Sequence, residues 1–257
     1  MIQGNLYDFP KYYDLVYGCE CRLEINFLSH CFDRYCGKGP KHLLEPACGT
    51  GRLLWRLARR GHTVSGLDLN PNAIEFCNRR LDRHGFPQTA FVADMSDFEV
   101  DGSFDAAFNT VNSFRLLTDP KLAKQHLRCV ANSLGERGVY ILGFHLSPES
   151  GSLADDESWT ARRGSLEVYT AMTLNRRDQD TRLEEYDVFY RVKTPSRSFE
   201  IHDKTYFLMY TFDEFESLIR DSGVFKIEDV YDFNYNFGFP IEVCESTEDA
   251  IFILRRT

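Results

Sequence analysis

His42-Leu43-Leu44-Glu45-Pro46-Ala47-Cys48-Gly49-Thr50-Gly51-Arg52-Leu53-Leu54-Trp55 runs from an apolar strand through a turn of small residues into a helix. His42 to Ala47 lies between Gly39-Pro40 and the glycines of the turn, the pattern of a short buried strand. Leu53, Leu54, Leu57 and Ala58 recur at helical spacing, with arginines on the other side. Gly49 and Gly51 lack a Cβ, so the turn can take positive φ and let a ligand lie against bare backbone at a helix start. A second strand, His62 to Leu69, ends in Asp68, nineteen residues beyond Gly49. That is close to the roughly 20-residue spacing that sets an acid on a ribose hydroxyl in nucleotide-binding βαβ units. The residues therefore point to a ribose-bearing cofactor at the carboxyl ends of the first two strands.

A dinucleotide site needs a third glycine so that helix and strand close around a pyrophosphate. Leu54 occupies that position. Glu45, in the approach to the turn, would repel a pyrophosphate and attract an ammonium or sulfonium group. Leu44-Glu45-Pro46-Ala47-Cys48-Gly49-Thr50-Gly51 resembles the first motif of class I S-adenosylmethionine-dependent methyltransferases, hydrophobic-Asp/Glu-x-Gly-x-Gly-x-Gly. Ala47 replaces the first glycine, and its backbone is expected to avoid positive φ. The resemblance implies S-adenosylmethionine as cofactor and S-adenosylhomocysteine as product. It places Glu45, Ala47, Gly49, Gly51, Asp68 and the adjoining Leu69 around the cofactor.

With 257 residues the chain is long enough to bury a sizeable core, and its 39 acids and 30 bases give a net charge of −9. No basic block is present, which argues against a nucleic-acid partner. No apolar run approaches the roughly 20 residues of a membrane span, and Met1-Ile2-Gln3-Gly4-Asn5 is not a signal peptide. The eight cysteines are scattered and read as reduced thiols of a cytoplasmic protein. Cys19-x-Cys21 and Cys31-x4-Cys36 raise a metal hypothesis but lack the spacing of zinc sites, so no metal is expected.

Residues 5 to 36 read as two helical pieces, the first opened by Pro10. Phe9-Pro10-Lys11-Tyr12-Tyr13-Asp14-Leu15-Val16 resembles the lead-in of the small-molecule branch of these methyltransferases, which includes glycine N-methyltransferase-like and amino-sugar N-methyltransferase-like enzymes. There the segment is a lid. By resemblance Tyr13 faces the methionine end of the cofactor; alternatively it packs its helix onto the sheet, the reading preferred for Tyr12 and Tyr17. A third strand, Gln88 to Asp94, brings Asp94 and Met95 to the position of the family's adenine contact, although a strand-end Asp can also cap the next turn. The fourth strand, Phe104 to Thr110, carries Asn109 toward the place that the resemblance assigns to the sulfonium. No Asn-Pro-Pro-Tyr motif follows it, which counts against adenine or protein-amide methylation. Arg115 stands near where the amino-sugar branch has a histidine; a guanidinium cannot accept a proton but can clamp a carboxylate. His126 reads as a surface or core-edge residue on the helix opened by Asp119-Pro120. The fifth strand, Val139 to Leu146, brings His145 to the sheet edge where open α/β folds bind ligands, as a base or as a histidine satisfied by the Ser147-Pro148-Glu149 turn.

Residues 148 to 164 read as loop, and Leu166–Leu174, Arg182–Val192 and Phe199–Tyr210 as a three-stranded antiparallel insert. Thr211-Phe212-Asp213-Glu214 is a capping box, and Phe225–Phe233 and Ala250–Leu254 are two late strands with a short link. With the resemblance, the fold class is α/β: a Rossmann-like three-layer sandwich around a seven-stranded, mainly parallel sheet. Its order is 3-2-1-4-5-7-6 with the last strand antiparallel, and a β insert separates strands five and six. The expected organisation is an N-terminal helical lid (1–40), a cofactor-binding core (41–147 and 211–257) and the insert (148–210) as acceptor cap or oligomer contact.

The function expected is transfer of a methyl group to N or O of a small molecule by a monomer or homodimer. The alternatives are an RNA or protein methyltransferase and a cofactor-binding homologue without catalysis. Expected catalytic residues are His145 and Tyr13. Cofactor contacts add Asp94, Met95 and Asn109 to those above, and acceptor contacts are Tyr7, Asn112, Arg115 and His145.

Overall fold

The computed structural model describes residues 2–18, 21–147 and 156–257. The strands are β1 (Ile2–Gln3), β2 (His42–Pro46), β3 (Thr63–Asp68), β4 (Ala90–Val92), β5 (Phe104–Asn109), β6 (Leu134–His145), β7 (Asp156–Arg163), β8 (Leu166–Asp178), β9 (Leu183–Lys193), β10 (Ser198–Leu208), β11 (Phe225–Tyr231) and β12 (Asp249–Arg256). The helices are α1 (Pro10–Tyr17), α2 (Arg22–Cys36), α3 (Leu54–Ala58), α4 (Pro71–Arg83), α5 (Pro120–Ser133) and α6 (Phe212–Ser222).

Seven strands form the main sheet in the order β4-β3-β2-β5-β6-β12-β11, with β12 antiparallel to both neighbours. This is the order expected. The period-two alternation of side chains builds both layers. Leu43, Ala106, Phe108, Ile141 and Ile253 face α2, α3 and α4, while Leu44, Ala107, Leu142, Phe144 and Phe252 face α5 and α6. Helix starts follow local chemistry. Asn70 caps α4 by accepting from the Asn72 and Ala73 amides, and Asp119 caps α5 ahead of Pro120. Thr211 and Glu214 form the reciprocal capping box of α6, which ends at Gly223 with φ 70°.

The second sheet, β1-β10-β9-β8-β7, differs from the sequence reading in two ways. Residues 156–163, expected in a loop, form β7 against β8. Their polar side chains suit an edge strand that is mostly exposed, so no apolar alternation marks them. On the other edge, the chain's own amino end adds β1 parallel to β10. Helix α1 packs onto this sheet, with Leu6, Tyr12 and Leu15 against Val168, Val188 and Ile201.

The N-terminal segment is therefore split. The part through α1 joins the insert sheet, whereas α2 belongs to the sandwich, its Phe27, Leu28, Cys31 and Phe32 buried on the main sheet. The link between β11 and β12 is long, from Asp232 to Glu248, rather than short. Ala47 has φ 54°, contrary to expectation. The turn is pinned on both sides, by Cys48 N donating to Leu67 O and Asn109 Nδ2 donating to Pro46 O. A left-handed alanine costs roughly 1–2 kcal/mol, a strain that these fixed neighbours impose.

Candidate active site

Gly49 and Gly51 take φ 52° and 67°, as the bare turn requires. A Cβ on Gly51 would collide with Cys77 Sγ, so the close approach of α4 needs glycine as much as the dihedral does. Asp68 arrives from β3 with its carboxylate fixed: Oδ2 accepts from Gly49 N at 2.8 Å and Oδ1 from Asn70 N at 2.9 Å. Burial raises its pKa, and the two amides work in the opposite direction. Each oxygen keeps a further lone pair for a hydroxyl donor.

Beyond Asp68 opens a cavity of about 690 Å³. Leu69, Leu116, Leu122 and Tyr206 line it and are among the exposed large apolar side chains of the molecule. Exposed apolar walls beside a fixed carboxylate suit a flat heteroaromatic ring joined to a sugar. Asp94 and Met95 line the same cavity. Asp94 Oδ1 accepts from Ser96 N and Ser96 Oγ at 2.8 and 2.7 Å, so it caps the turn.

A second cavity, about 400 Å³, meets the first at Tyr7, Tyr13 and Ala47. At its floor Glu45 is buried, and its Oε2 has no hydrogen-bond partner; Asn109 Oδ1, also buried, has none either. Burial pushes the Glu45 carboxyl well up, and the nearby Arg52 opposes that shift. Arg52 forms a two-armed pair with Glu24, its Nη2 at 2.8 Å from Oε1, and Thr110 donates to the same carboxylate. The floor thus offers unmet acceptors to an ammonium and one guanidinium to a carboxylate. These are complementary to the two ends of an amino-acid head. The residues present fit S-adenosylmethionine: a bare turn, a ribose-competent carboxylate, an apolar slot and an amino-acid socket.

The roof comes from α1 and the insert. The Tyr13 ring lies over the glycine turn, its Cε1 3.4 Å from where a Gly49 Cβ would stand. Tyr7, Tyr13 and Tyr17 pack ring to ring with centroids 4.9 Å apart, and Trp159 of β7 meets Tyr17 edge-on. Tyr17 lines the cavity, whereas Tyr12 is buried against Phe199 as its packing role predicted. Asp14, next to Tyr13, is buried and latches this roof. It meets Thr50 of the turn, Arg80 of α4 at 2.6 Å and Arg163 of β7 at 3.3 Å. Nothing in the local pattern around Asp14 announced that junction, nor the Arg52–Glu24 pair, because both join elements far apart in sequence.

The expected acceptor residues converge on this cavity: Tyr7, Asn112, Arg115 and His145 all line it. Their states differ. His145 Nδ1 meets Asp249 Oδ1 at 2.5 Å, so the partner expected in the following turn is instead on β12; Pro148 and Glu149 lie outside the described residues. Asn112, with φ 55°, holds the strand end by accepting from His145 N at 2.9 Å. Arg115 departs from its expected role. It is buried, pairs with Glu184 at 2.5 Å and donates to Leu208 O at 3.0 Å, so a protein carboxylate already fills its clamp. His126 is fully buried rather than peripheral, between Met95 O at 2.7 Å and Tyr140 Oη at 2.8 Å. Among the described residues no cluster of three His, Cys, Asp or Glu could hold a metal; Cys19 lies outside them.

Residues 43–138 match a sequence-family model described as "Methyltransferase domain". A putative methyltransferase of Geobacillus sp. (strain WCH70) is 22% identical over 81% of this chain and 83% of its own. The dTDP-3-amino-3,6-dideoxy-alpha-D-glucopyranose N,N-dimethyltransferase of Streptomyces fradiae is 26% identical over 84% of each chain. Among solved structures, an S-adenosylmethionine-dependent methyltransferase from Clostridium acetobutylicum ATCC 824 superposes with a TM-score of 0.78. It is 17% identical, with 98% of this chain and 99% of that one covered.

Proposed function

We propose that this chain, a class I S-adenosylmethionine-dependent methyltransferase, passes its methyl group to a nitrogen or oxygen of a small molecule held between α1, the insert sheet and His145. The observation that carries this reading is the roofed cavity of about 400 Å³, continuous with the slot beside Asp68. A pocket of that size suits a small acceptor rather than a folded macromolecule. The net charge of −9 supports the same choice, since a nucleic-acid partner calls for clustered cations. The reading extends to a monomer or homodimer in the cytoplasm, in keeping with the scattered cysteines.

The residues divide the work as follows. Asp68 accepts from the ribose hydroxyls, and Leu69, Asp94 and Met95 flank the adenine. Glu45 and Asn109 receive the amino-acid ammonium, Arg52 its carboxylate, and Gly49, Gly51 and Ala47 give it bare backbone. When bound, S-adenosylmethionine supplies an already activated methyl group. The protein's task is positioning and exclusion of water. Tyr7 and Tyr13 close over the junction of the two cavities. Asp249 holds His145 Nδ1, which leaves Nε2 to take a proton from the acceptor. A hydroxyl acceptor needs that base in the transition state. An amine needs it only to be released from its protonated form.

The test is to incubate the purified chain with methyl-labelled S-adenosylmethionine and, separately, a small-metabolite extract, total RNA and total protein. Label is expected in the small-metabolite fraction. Label confined to RNA or protein would overturn the reading.

A further inference from the structure

We propose that the acceptor end of the cavity is built for a small amine, bound as its cation, that carries no carboxylate or phosphate of its own. This rests on the methyltransferase reading above and narrows its substrate class.

The charged groups on the wall decide the sign of the guest. Glu24, Glu157, Arg52 and Arg115 line the cavity as charged side chains, beside the buried Glu45 carboxyl. Both Nη groups of Arg52 are held by Glu24, and on the methyltransferase reading its remaining donors go to the cofactor's own carboxylate. Arg115 is sealed by Glu184, which is fully buried and takes Arg177 as well. No cation is left over for an anionic acceptor among the described residues. By contrast Glu157, at the exposed mouth of the cavity, pairs with no cation among the described residues. A phosphate or carboxylate on the acceptor would be desolvated against acids, whereas a cation would be drawn in.

The rings give the same answer independently. Tyr13, Tyr17, Trp159, Tyr186, Tyr190 and Phe207 all border the cavity. Aromatic faces carry negative potential, so a cavity bordered by this many rings favours an ammonium over a neutral or anionic group. The strands set this up through their alternation: Tyr186, Val188 and Tyr190 share one face of β9, and β10 places Thr205 opposite Tyr186.

The reaction balances with these groups. The bound ammonium gives one proton to His145 Nε2 and recovers its lone pair. Nitrogen then bonds to the methyl carbon as the carbon–sulfur bond breaks, and that electron pair stays on sulfur, which becomes a neutral thioether. The methylated nitrogen is left with one positive charge, so the product keeps the charge that the walls select.

Three probes of matched shape separate the possibilities: choline, its uncharged isostere 3,3-dimethylbutanol, and phosphocholine. Each is titrated by calorimetry into the full-length chain already saturated with S-adenosylhomocysteine. Choline is expected to bind at least tenfold more tightly than the alcohol, and phosphocholine more weakly than choline. Glu157→Gln and Trp159→Ala should each weaken choline about fivefold. Equal binding of the alcohol, tighter binding of phosphocholine, no binding of choline, or variants that bind choline as the parent does would overturn the proposal while leaving the methyltransferase reading in place. Failure to bind S-adenosylhomocysteine in the loading step would instead remove both.

Discussion

Asp68 shows how one side chain serves two purposes. It ties the glycine turn to the start of α4 through Gly49 N and Asn70 N and keeps lone pairs that, on the proposed reading, a ribose meets. Asp68→Ala should weaken S-adenosylhomocysteine binding by about 2 kcal/mol, roughly 30-fold by calorimetry, because charge-assisted bonds of about 1.5–3 kcal/mol are lost. An unchanged affinity in the folded variant would move the ribose elsewhere. His145→Ala should lower kcat with little change in cofactor affinity. Asp249→Asn should produce a smaller loss of the same kind. Full turnover in His145→Ala would mean that solvent takes the acceptor's proton.

His126 carries a pH dependence of stability. Burial lowers its pKa from 6.5 to about 4, against the upward pull of Met95 O and Asp94. A folded pKa below the unfolded value means that the unfolded chain binds the proton first. The stability held above pH 6.5 is then lost as the pH falls toward 4, by at most roughly 3 kcal/mol. Urea midpoints at pH 7 and pH 5 should therefore differ more for the parent than for His126→Gln. Equal differences would contradict the assignment. The sequence read this histidine as a surface or core-edge residue because its helical stripe is visible locally, whereas its partners on the β4–β5 connection and β6 are not.

At the scale of elements, the strand–turn–helix of residues 42–58 was legible because everything that shapes it is local: an apolar run, two glycines and a leucine stripe. The strand-end positions of Asp68 and Asp94, the Asn70 cap and the capping box of α6 were legible for the same reason. What local pattern could not convey is pairing at a distance. β7 has the composition of a loop and becomes a strand only because β8 offers it an edge; β1 is two residues long and depends wholly on β10. Arg115 had the chemistry of a clamp, and only the fold supplied Glu184 to fill it. Gly51→Ala is the element-level test of the turn. Both its positive φ and the contact with Cys77 oppose a Cβ, and the expected cost is at least 2 kcal/mol, read as a lower urea midpoint together with lost cofactor binding. A variant as stable as the parent would show that α4 can yield.

Over the whole molecule, the main-sheet sandwich carries the proposed cofactor edge, α1 and the insert sheet roof the second cavity, and Asp14 joins them. Asp14→Ala would leave the largely buried Arg80 and the exposed Arg163 without their shared carboxylate, and solvent screening of Arg163 keeps the loss near the lower end of the buried-pair range, about 3 kcal/mol. The milder Asp14→Asn keeps the shape and the Thr50 contact. It should raise the KM for the acceptor and slow turnover more than it weakens the cofactor, since the roof and not the slot is loosened. The central claim, that the edge of β2, β3 and β4 holds a sulfur cofactor and not a dinucleotide, is tested most directly by calorimetry of the intact chain with S-adenosylhomocysteine and with NAD. The account predicts one S-adenosylhomocysteine bound per chain and no heat from NAD; binding of NAD with none of S-adenosylhomocysteine or S-adenosylmethionine would contradict it.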